Sequence, residues 1–153
     1  IIGNSFEIIS ESITFCCKKY QADILGYVLM PNHIHLILYF RNDNYLSDFM
    51  RDMKKFTSTK IRKEIEAYKP ELIEKIRFIK DKQVLKIWED RFDDEYIYTE
   101  SFLLQKIDYI HNNPLQEHWQ LAETPEEYLH SSAMFYTLNK DPLIHTVHYN
   151  EYF

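Results

Sequence analysis

The sequence predicts an α+β fold built on an antiparallel sheet, because two hydrophobic periods alternate along the chain. Apolar residues recur at helical spacing over residues 5–20 and 46–68, and again after residue 99. Between the first two helices, residues 25–40 contain two short runs of apolar and β-branched residues, which are typical of strands. The length of 153 residues fits one domain, which we expect to span residues 1–153.

The first half of the chain gives the clearest elements. The helix over residues 5–20 has an apolar stripe of the kind that packs against a core. Pro31-Asn32 interrupts the apolar run that follows, and proline presets the backbone angle of a tight turn, so this run is predicted to be a hairpin. The long helix after the hairpin is predicted to end before Pro70.

The middle of the chain gives weaker signals. Residues 70–82 are compatible with a short helix, and residues 84–88 and 96–98 are apolar enough for two further strands. The acidic run 89–95 between these strands has enough carboxylates for a hard cation. A solvated turn is the commoner explanation for such a run, and we favour it here.

The last long helix is predicted to begin at Thr99 or Ser101 and to end at Pro114, which interrupts a helix. It carries Tyr109 and His111, and the helical period by itself assigns neither a role. Further on, the tail over residues 141–153 shows no period and is expected to be peripheral.

Composition excludes several classes of function. Only two glycines occur, so no glycine-rich phosphate loop is available and no nucleotide cofactor is expected. No apolar run approaches the length of a membrane span, and adjacent Cys16 and Cys17 fit a reducing compartment. We therefore expect a cytoplasmic protein without a membrane partner. The chain begins at Ile1 rather than methionine, as a fragment of a longer protein would.

Charge is unevenly distributed. The net charge is -6, but residues 41–86 hold 13 Lys+Arg against 8 Asp+Glu, and the remainder holds 5 against 16. The basic part directly follows the hairpin, and a local basic surface can bind a phosphate backbone even in an acidic protein. The acidic remainder weakens long-range attraction of nucleic acid.

The second predicted strand carries two histidines. Side chains alternate across a strand, so His33 and His35 share one face while Ile34 and Leu36 point to the other. Two imidazoles on a rigid strand can bind one metal ion. On spacing alone, however, such a pair is more often two half-exposed polar residues.

The run Met-Pro-Asn-His-Ile-His-Leu at residues 30–36, followed about 70 residues later by Tyr-Ile-His-Asn-Asn-Pro at residues 109–114, resembles the signature of single-tyrosine HUH transposases. It is most similar to the REP-associated tyrosine transposase branch of the IS200-like group, over roughly residues 6–136. The resemblance implies a ferredoxin-like HUH fold with helices packed mainly on one face of the sheet. Members carry a strand before the first helix, and too few residues precede Ser5 for it, so that strand is expected to be absent.

The resemblance also assigns site residues. Tyr109 matches the family's nucleophile, and His33, His35 and Asn113 match its metal ligands. Two imidazoles and one amide oxygen, with positions left open, suit Mg²⁺ or Mn²⁺ better than a closed zinc site. Tyr109 and Asn113 are one helical turn apart, although Pro114 disfavours helical geometry at the residue before it and places Asn113 in the cap.

Five polar residues of the long second helix form what we call the basic strip. Charge on a helix face is ordinarily solvated surface. The resemblance favours phosphate contacts instead, because the family's matching Lys-Lys-Phe-Thr-Ser stretch lies on the helix beside the active site. The predicted DNA-binding residues are Arg51, Lys54, Lys55, Ser58 and Arg62.

The function that the resemblance implies is a metal-dependent single-stranded DNA endonuclease and strand transferase with a 5′-phosphotyrosine intermediate. Its expected partner is single-stranded or hairpin DNA, bound by a monomer or a homodimer, since both occur in this group. Two alternatives stay open. One is a catalytically impaired or domesticated protein that binds hairpin DNA, and the other is a metal-dependent hydrolase that uses water and leaves Tyr109 without a catalytic role.

Overall fold

The computed structural model describes residues 4–42, 44–71 and 86–153. Short 3-10 turns follow the third helix and occur again near the C-terminus. In the described part of the chain, no helix is both long and apolar enough to cross a membrane. The helices and strands, in chain order, are α1 (Ser5–Tyr20), β1 (Ala22–Leu29), β2 (Ile34–Phe40), α2 (Leu46–Tyr68), α3 (Glu100–Asn112) and α4 (Ala133–Leu138).

The hairpin β1–β2 is antiparallel, with Leu29 opposite Ile34 and Val28 opposite His35. The Met30 N–H donates to the His33 carbonyl at 2.9 Å and closes the turn at Pro31-Asn32. A bulge in β1 between Ile24 and Gly26 shifts the register by one residue. The predicted hairpin is therefore confirmed.

The two faces of the hairpin pack against different helices. On one face, Ile34, Leu36 and other β2 side chains join a core cluster with buried residues of α1 and α2, such as Ile13 and Phe49. On the other face, Ile37 and β1 side chains pack against α3. We call this second face, which also carries His33 and His35, the histidine face.

The C-terminal segment covers the outer edge of β1. The Leu29 N–H donates to the His130 carbonyl at 2.8 Å, and the Val147 N–H donates to the Ile24 carbonyl at 2.8 Å. Ile144 is 1% exposed, and its N–H donates to the Tyr27 hydroxyl. The expectation of a peripheral tail was therefore wrong, because backbone pairing with a strand needs no periodic side-chain pattern.

The predicted α+β fold class is confirmed, and the helices predicted from periodicity are found as α1, α2 and α3. The strands predicted at 84–88 and 96–98 are wrong where the structure describes them, since residues 86–98 contain no strand. Ile87 and Trp88 instead pack their side chains against the α1–α2 core. The predicted helix at 70–82 falls mostly outside the described residues, as do the residues before Asn4 where the first strand was expected to be absent.

Candidate active site

The hairpin turn brings the two predicted metal ligands together. His33 immediately precedes β2 and His35 is its second residue, so the pleat directs both side chains to the histidine face. Their ring centroids are 5.0 Å apart and the rings are nearly perpendicular, at 78°. Both side chains are partly buried.

Helix α3 brings Tyr109 to the same place. Gly26 allows a close approach, because a side chain there would meet Ile110 Cδ1 and Ile37 Cδ1 at 3.3 Å. With α3 held this close to β1, the ring centroid of Tyr109 lies 5.8 Å from that of His35. Tyr109 is nevertheless 52% exposed, so about half of the residue stays open to solvent.

Asn113 lies one turn beyond Tyr109, at the C-cap of α3. Its φ of -56° and ψ of -44° stay helical, and the chain continues into a 3-10 turn with Pro114. Asn113 therefore lies at the cap before Pro114, as predicted, and its backbone keeps helical angles instead of an extended conformation. The side chain is 3% exposed, and its amide Nδ2 has no hydrogen-bond partner among the residues that the structure describes. Its place among the metal ligands stays a prediction.

His111 differs from the other two histidines. It is 6% exposed, and its Nε2 lies 2.8 Å from Ser132 Oγ, which also accepts the N–H of Tyr27. Burial lowers the pKa of His111 to about 4. Its imidazole is therefore neutral at pH 7 and ties α3 to the segment that covers β1.

Burial and nearby positive charge favour neutral imidazoles at the histidine pair. Burial lowers the pKa of His33, and the charge of His118 lowers it further. Burial likewise lowers the pKa of His35, with added effects from His33 and Lys106. A neutral imidazole is the form that binds a metal ion.

Asn32 fixes the tautomer of His33. The Nδ1 of His33 lies 2.6 Å from Asn32 Oδ1. This oxygen can only accept, so Nδ1 carries the hydrogen and the lone pair of Nε2 is left for a ligand. Sequence reasoning used Asn32 only as a turn residue, although asparagine directly before a candidate ligand is a readable signal.

Two further residues at the site were missed from the sequence. Lys106 lies on α3 one turn before Tyr109, and its ammonium pairs with Glu95 at 2.5 Å. The i, i+3 spacing from Tyr109 was a usable signal for Lys106. Trp119 lies with its ring centroid 6.0 Å from that of His33. No sequence pattern connects Trp119 to the hairpin.

The basic strip lies on the other side of the hairpin, because α2 packs against the face that points away from the histidines. All five of its residues line one open groove of about 450 Å³ together with Lys86, Trp88 and Phe92. The structure thus gathers the strip on one surface but does not place that surface on the histidine face.

Several charges of this groove already have partners. Arg51 pairs with Asp48 at 2.5 Å and with Asp52 at 3.2 Å. Lys54 Nζ donates to the backbone carbonyls of Glu89 and Arg91, at 2.7 and 3.1 Å. Lys54 thereby holds the segment after residue 86 against α2, whereas Lys55 is exposed.

Comparison with known proteins decides the family. A sequence profile of IS200-like transposases matches residues 3–113, which include the histidine pair, Tyr109 and Asn113. The chain belongs to the IS200-like transposase family. The two motifs that indicated this family from the sequence were therefore correctly interpreted.

A solved structure is similar in fold to this IS200-like chain. It is a REP-associated tyrosine transposase bound to a REP hairpin, with 18% sequence identity and a TM-score of 0.64. The match covers 85% of this chain and 66% of that one, so the two share a fold and this chain spans about two thirds of the relative's length. A search of curated proteins found no match.

Proposed function

We propose that this IS200-like chain nicks single-stranded DNA and transfers the cut strand through a covalent link to Tyr109. The observation that carries the proposal is the contact of the Tyr109 ring with His35, which itself contacts His33. Residues from distant parts of the matched sequence thereby form one cluster. Packing of the hydrophobic core does not by itself explain why a half-exposed tyrosine lies beside two neutral imidazoles.

The donor groups fit Mg²⁺ or Mn²⁺. His33 offers Nε2, since Nδ1 is engaged by Asn32, and the buried side chain of Asn113, one turn after Tyr109, carries an amide oxygen of the kind that suits these ions. His33 and His35 would hold the ion, with Asn113 as a third ligand. When bound, the ion supplies Lewis-acid activation of the scissile phosphate.

Tyr109 is the nucleophile of the proposed reaction. Its phenolic oxygen attacks the phosphorus, the bond from phosphorus to the 3′-oxygen breaks, and that oxygen leaves as a free 3′-hydroxyl after taking up a proton. The 5′ end stays on the protein as a phosphotyrosine. Attack by another 3′-hydroxyl reverses the step and joins strands, so the reaction needs no nucleotide cofactor.

Lys106 supports the attack electrostatically. A positive charge near the site stabilises the negative charge that develops on the reacting oxygens in the transition state. Lys106 is three residues before Tyr109 on the same helix face, and its charge acts on His35.

The proposed substrate is a DNA hairpin with a single-stranded flank. The structural relative is bound to a REP hairpin, and an unpaired flank can enter a site without the cost of opening a duplex. Lys55, Ser58 and Arg62 of the basic strip would contact the backbone. Because the strip and the histidine face lie on opposite sides of the hairpin β1–β2, DNA that reaches both must pass around it.

The test incubates the chain with end-labelled hairpin oligonucleotides and Mn²⁺ or Mg²⁺, followed by denaturing gels. We expect a covalent adduct that disappears in Tyr109→Phe and in the double variant His33→Ala/His35→Ala. Tyr98→Phe, at a tyrosine that is 81% exposed, is the matched control and should retain the adduct. Cleavage that persists in Tyr109→Phe would indicate a hydrolase, and binding without adduct would indicate a hairpin-binding protein.

A further inference from the structure

An unbroken series of ring contacts leads from Tyr109 to the turn after α3. Beyond Tyr109, His35 and His33, the series continues to Trp119 at 6.0 Å and from Trp119 to His118 at 5.4 Å between ring centroids. The fold therefore places a tryptophan at the opposite end of the histidine pair from the proposed nucleophile.

The backbone holds Trp119 in a defined position. Its N–H donates to the Gln116 carbonyl at 2.7 Å, and the Gln120 N–H donates to the same carbonyl at 3.0 Å. Gln120 has a φ of 46°, in the left-handed region that favours glycine. Together with the two hydrogen bonds to Gln116, this turn fixes the backbone on both sides of Trp119.

The Trp119 ring is partly buried: it packs against the α3 core cluster and lies beside His33, and part of the residue stays exposed to solvent. An indole that packing holds in place and that keeps some exposed surface is a suitable platform for a base. Every nucleobase has an aromatic face, so stacking tolerates different sequences.

We propose that Trp119 stacks on a nucleobase that flanks the scissile phosphate and so positions that phosphate at the histidine pair. This inference rests on the proposed function, because it takes single-stranded DNA as the ligand. Trp119 is a positioning residue here, since it contacts a base and not the reacting atoms.

The other tryptophan provides a matched control. The Trp88 indole N–H donates to Thr57 Oγ1 at 2.6 Å, and its ring packs against the α1–α2 core. Its exposed edge lies in the groove of the basic strip, away from the histidine face. Because Trp88 lines the groove of the basic strip, the control is judged by the abasic series and not by total affinity: in Trp88→Phe the flanking position at which a missing base weakens binding should stay unchanged.

The experiment measures equilibrium binding in the Tyr109→Phe background with Mn²⁺, so that the DNA stays intact. The probes are one hairpin oligonucleotide and a series in which each flanking nucleotide in turn is abasic. We expect Trp119→Ala to weaken binding of the intact probe about 10-fold to 100-fold, and Trp119→Phe to weaken it much less. At one abasic position the Trp119→Ala effect should fall below about twofold, because the base is already missing.

An equal loss at every abasic position, or no loss with the intact probe, would overturn the proposal, as would a chain that binds none of the probes. A second measurement covers the case in which Trp119→Ala fails to fold. In Trp88→Phe, Trp119 is the sole tryptophan, and its fluorescence should be quenched by the intact probe and not by the probe that is abasic at the identified position.

Failure of the proposed function gives a different result from failure of this inference. A chain that stacks DNA on Trp119 but forms no adduct as wild type is a binding protein. A chain that forms the adduct and binds equally well in Trp119→Ala is a transferase that positions its substrate in another way.

Discussion

The polar side chains of the basic strip and those at the histidine face are satisfied to different degrees, although Lys106 and His33 at the histidine face also have partners, Glu95 and Asn32. In the strip, Arg51 pairs with two aspartates and Lys54 donates to backbone carbonyls. On the histidine face, Tyr109 is 52% exposed. Asn113, one turn beyond Tyr109, is buried, and within the described part of the chain its amide nitrogen has no hydrogen-bond partner.

This difference separates groups that stabilise the protein from groups that are available to a ligand. A cation that already has close partners gains less from a phosphate, because those contacts must be weakened first. A buried polar atom without a partner costs folding free energy, and a ligand that satisfies it recovers that cost. The histidine face is therefore the better candidate for chemistry, and much of the strip has a structural role.

The largest expected effect concerns His111, which we assign to structure although it is next to Ile110 and close to Tyr109. The unfolded chain takes up this proton near pH 6.5, and the folded protein does so only near its pKa of about 4. Stability from this group is thus complete above pH 6.5 and is lost as pH falls toward 4. Between pH 7.5 and 5 the loss is about 2 kcal/mol.

Urea unfolding of the wild type and of His111→Gln at both pH values measures this loss. We expect the wild type to lose about 2 kcal/mol more than the variant, since glutamine does not titrate. Equal losses would show that His111 does not act as a buried neutral group.

The second effect concerns Asn32. Asn32→Ala removes the acceptor that fixes the His33 tautomer, so we expect Mn²⁺ affinity to fall about 10-fold to 100-fold. Titration calorimetry measures this affinity, and exposed Asn42→Ala is the control. Unchanged affinity in Asn32→Ala would mean that His33 does not bind the ion through Nε2.

The third effect concerns Lys106. Lys106→Met removes a positive charge from the helix face that carries Tyr109, and we expect adduct formation at saturating Mn²⁺ to slow about tenfold. Lys106→Arg should keep most of the rate, and Lys140→Met, at an exposed lysine, serves as the control. A rate unaffected by Lys106→Met would remove this lysine from the mechanism.

The smallest expected effects distinguish two lysines of the basic strip, one that stabilises the fold and one that is available to DNA. Lys54→Met should lower the free energy of unfolding by about 1 kcal/mol, because the carbonyls after residue 88 lose their donor. Lys55→Met should leave unfolding unchanged but weaken DNA binding a few fold, with a salt dependence smaller by about one phosphate contact. Urea unfolding and binding at several salt concentrations measure both. A lower free energy of unfolding in Lys55→Met, or weaker DNA binding in Lys54→Met without a change in unfolding, would contradict this division of the strip into structural and DNA-binding lysines.

Much of the fold was predictable because it depends on local pattern. The periods of α1, α2 and α3 and the turn at Pro31-Asn32 depend on neighbours a few residues apart. The false strand at 96–98 had the right composition, but Tyr96 and Tyr98 are 69% and 81% exposed and contact each other instead of a strand. A strand needs a pairing partner, and composition does not supply one.

The sequence by itself indicated the candidate site residues. His33, His35, Tyr109 and Asn113 were predicted because two short motifs resemble those of IS200-like transposases, and alternation in a strand and one turn of a helix predict which side chains share a face. Only the tertiary structure decided how they are surrounded. Gly26 sets how closely α3 approaches β1, the C-terminal segment buries His111, and the turn after Pro114 brings Trp119 to His33. These contacts join residues far apart in the chain, and their packing, not any local pattern, determines burial and charge at the site.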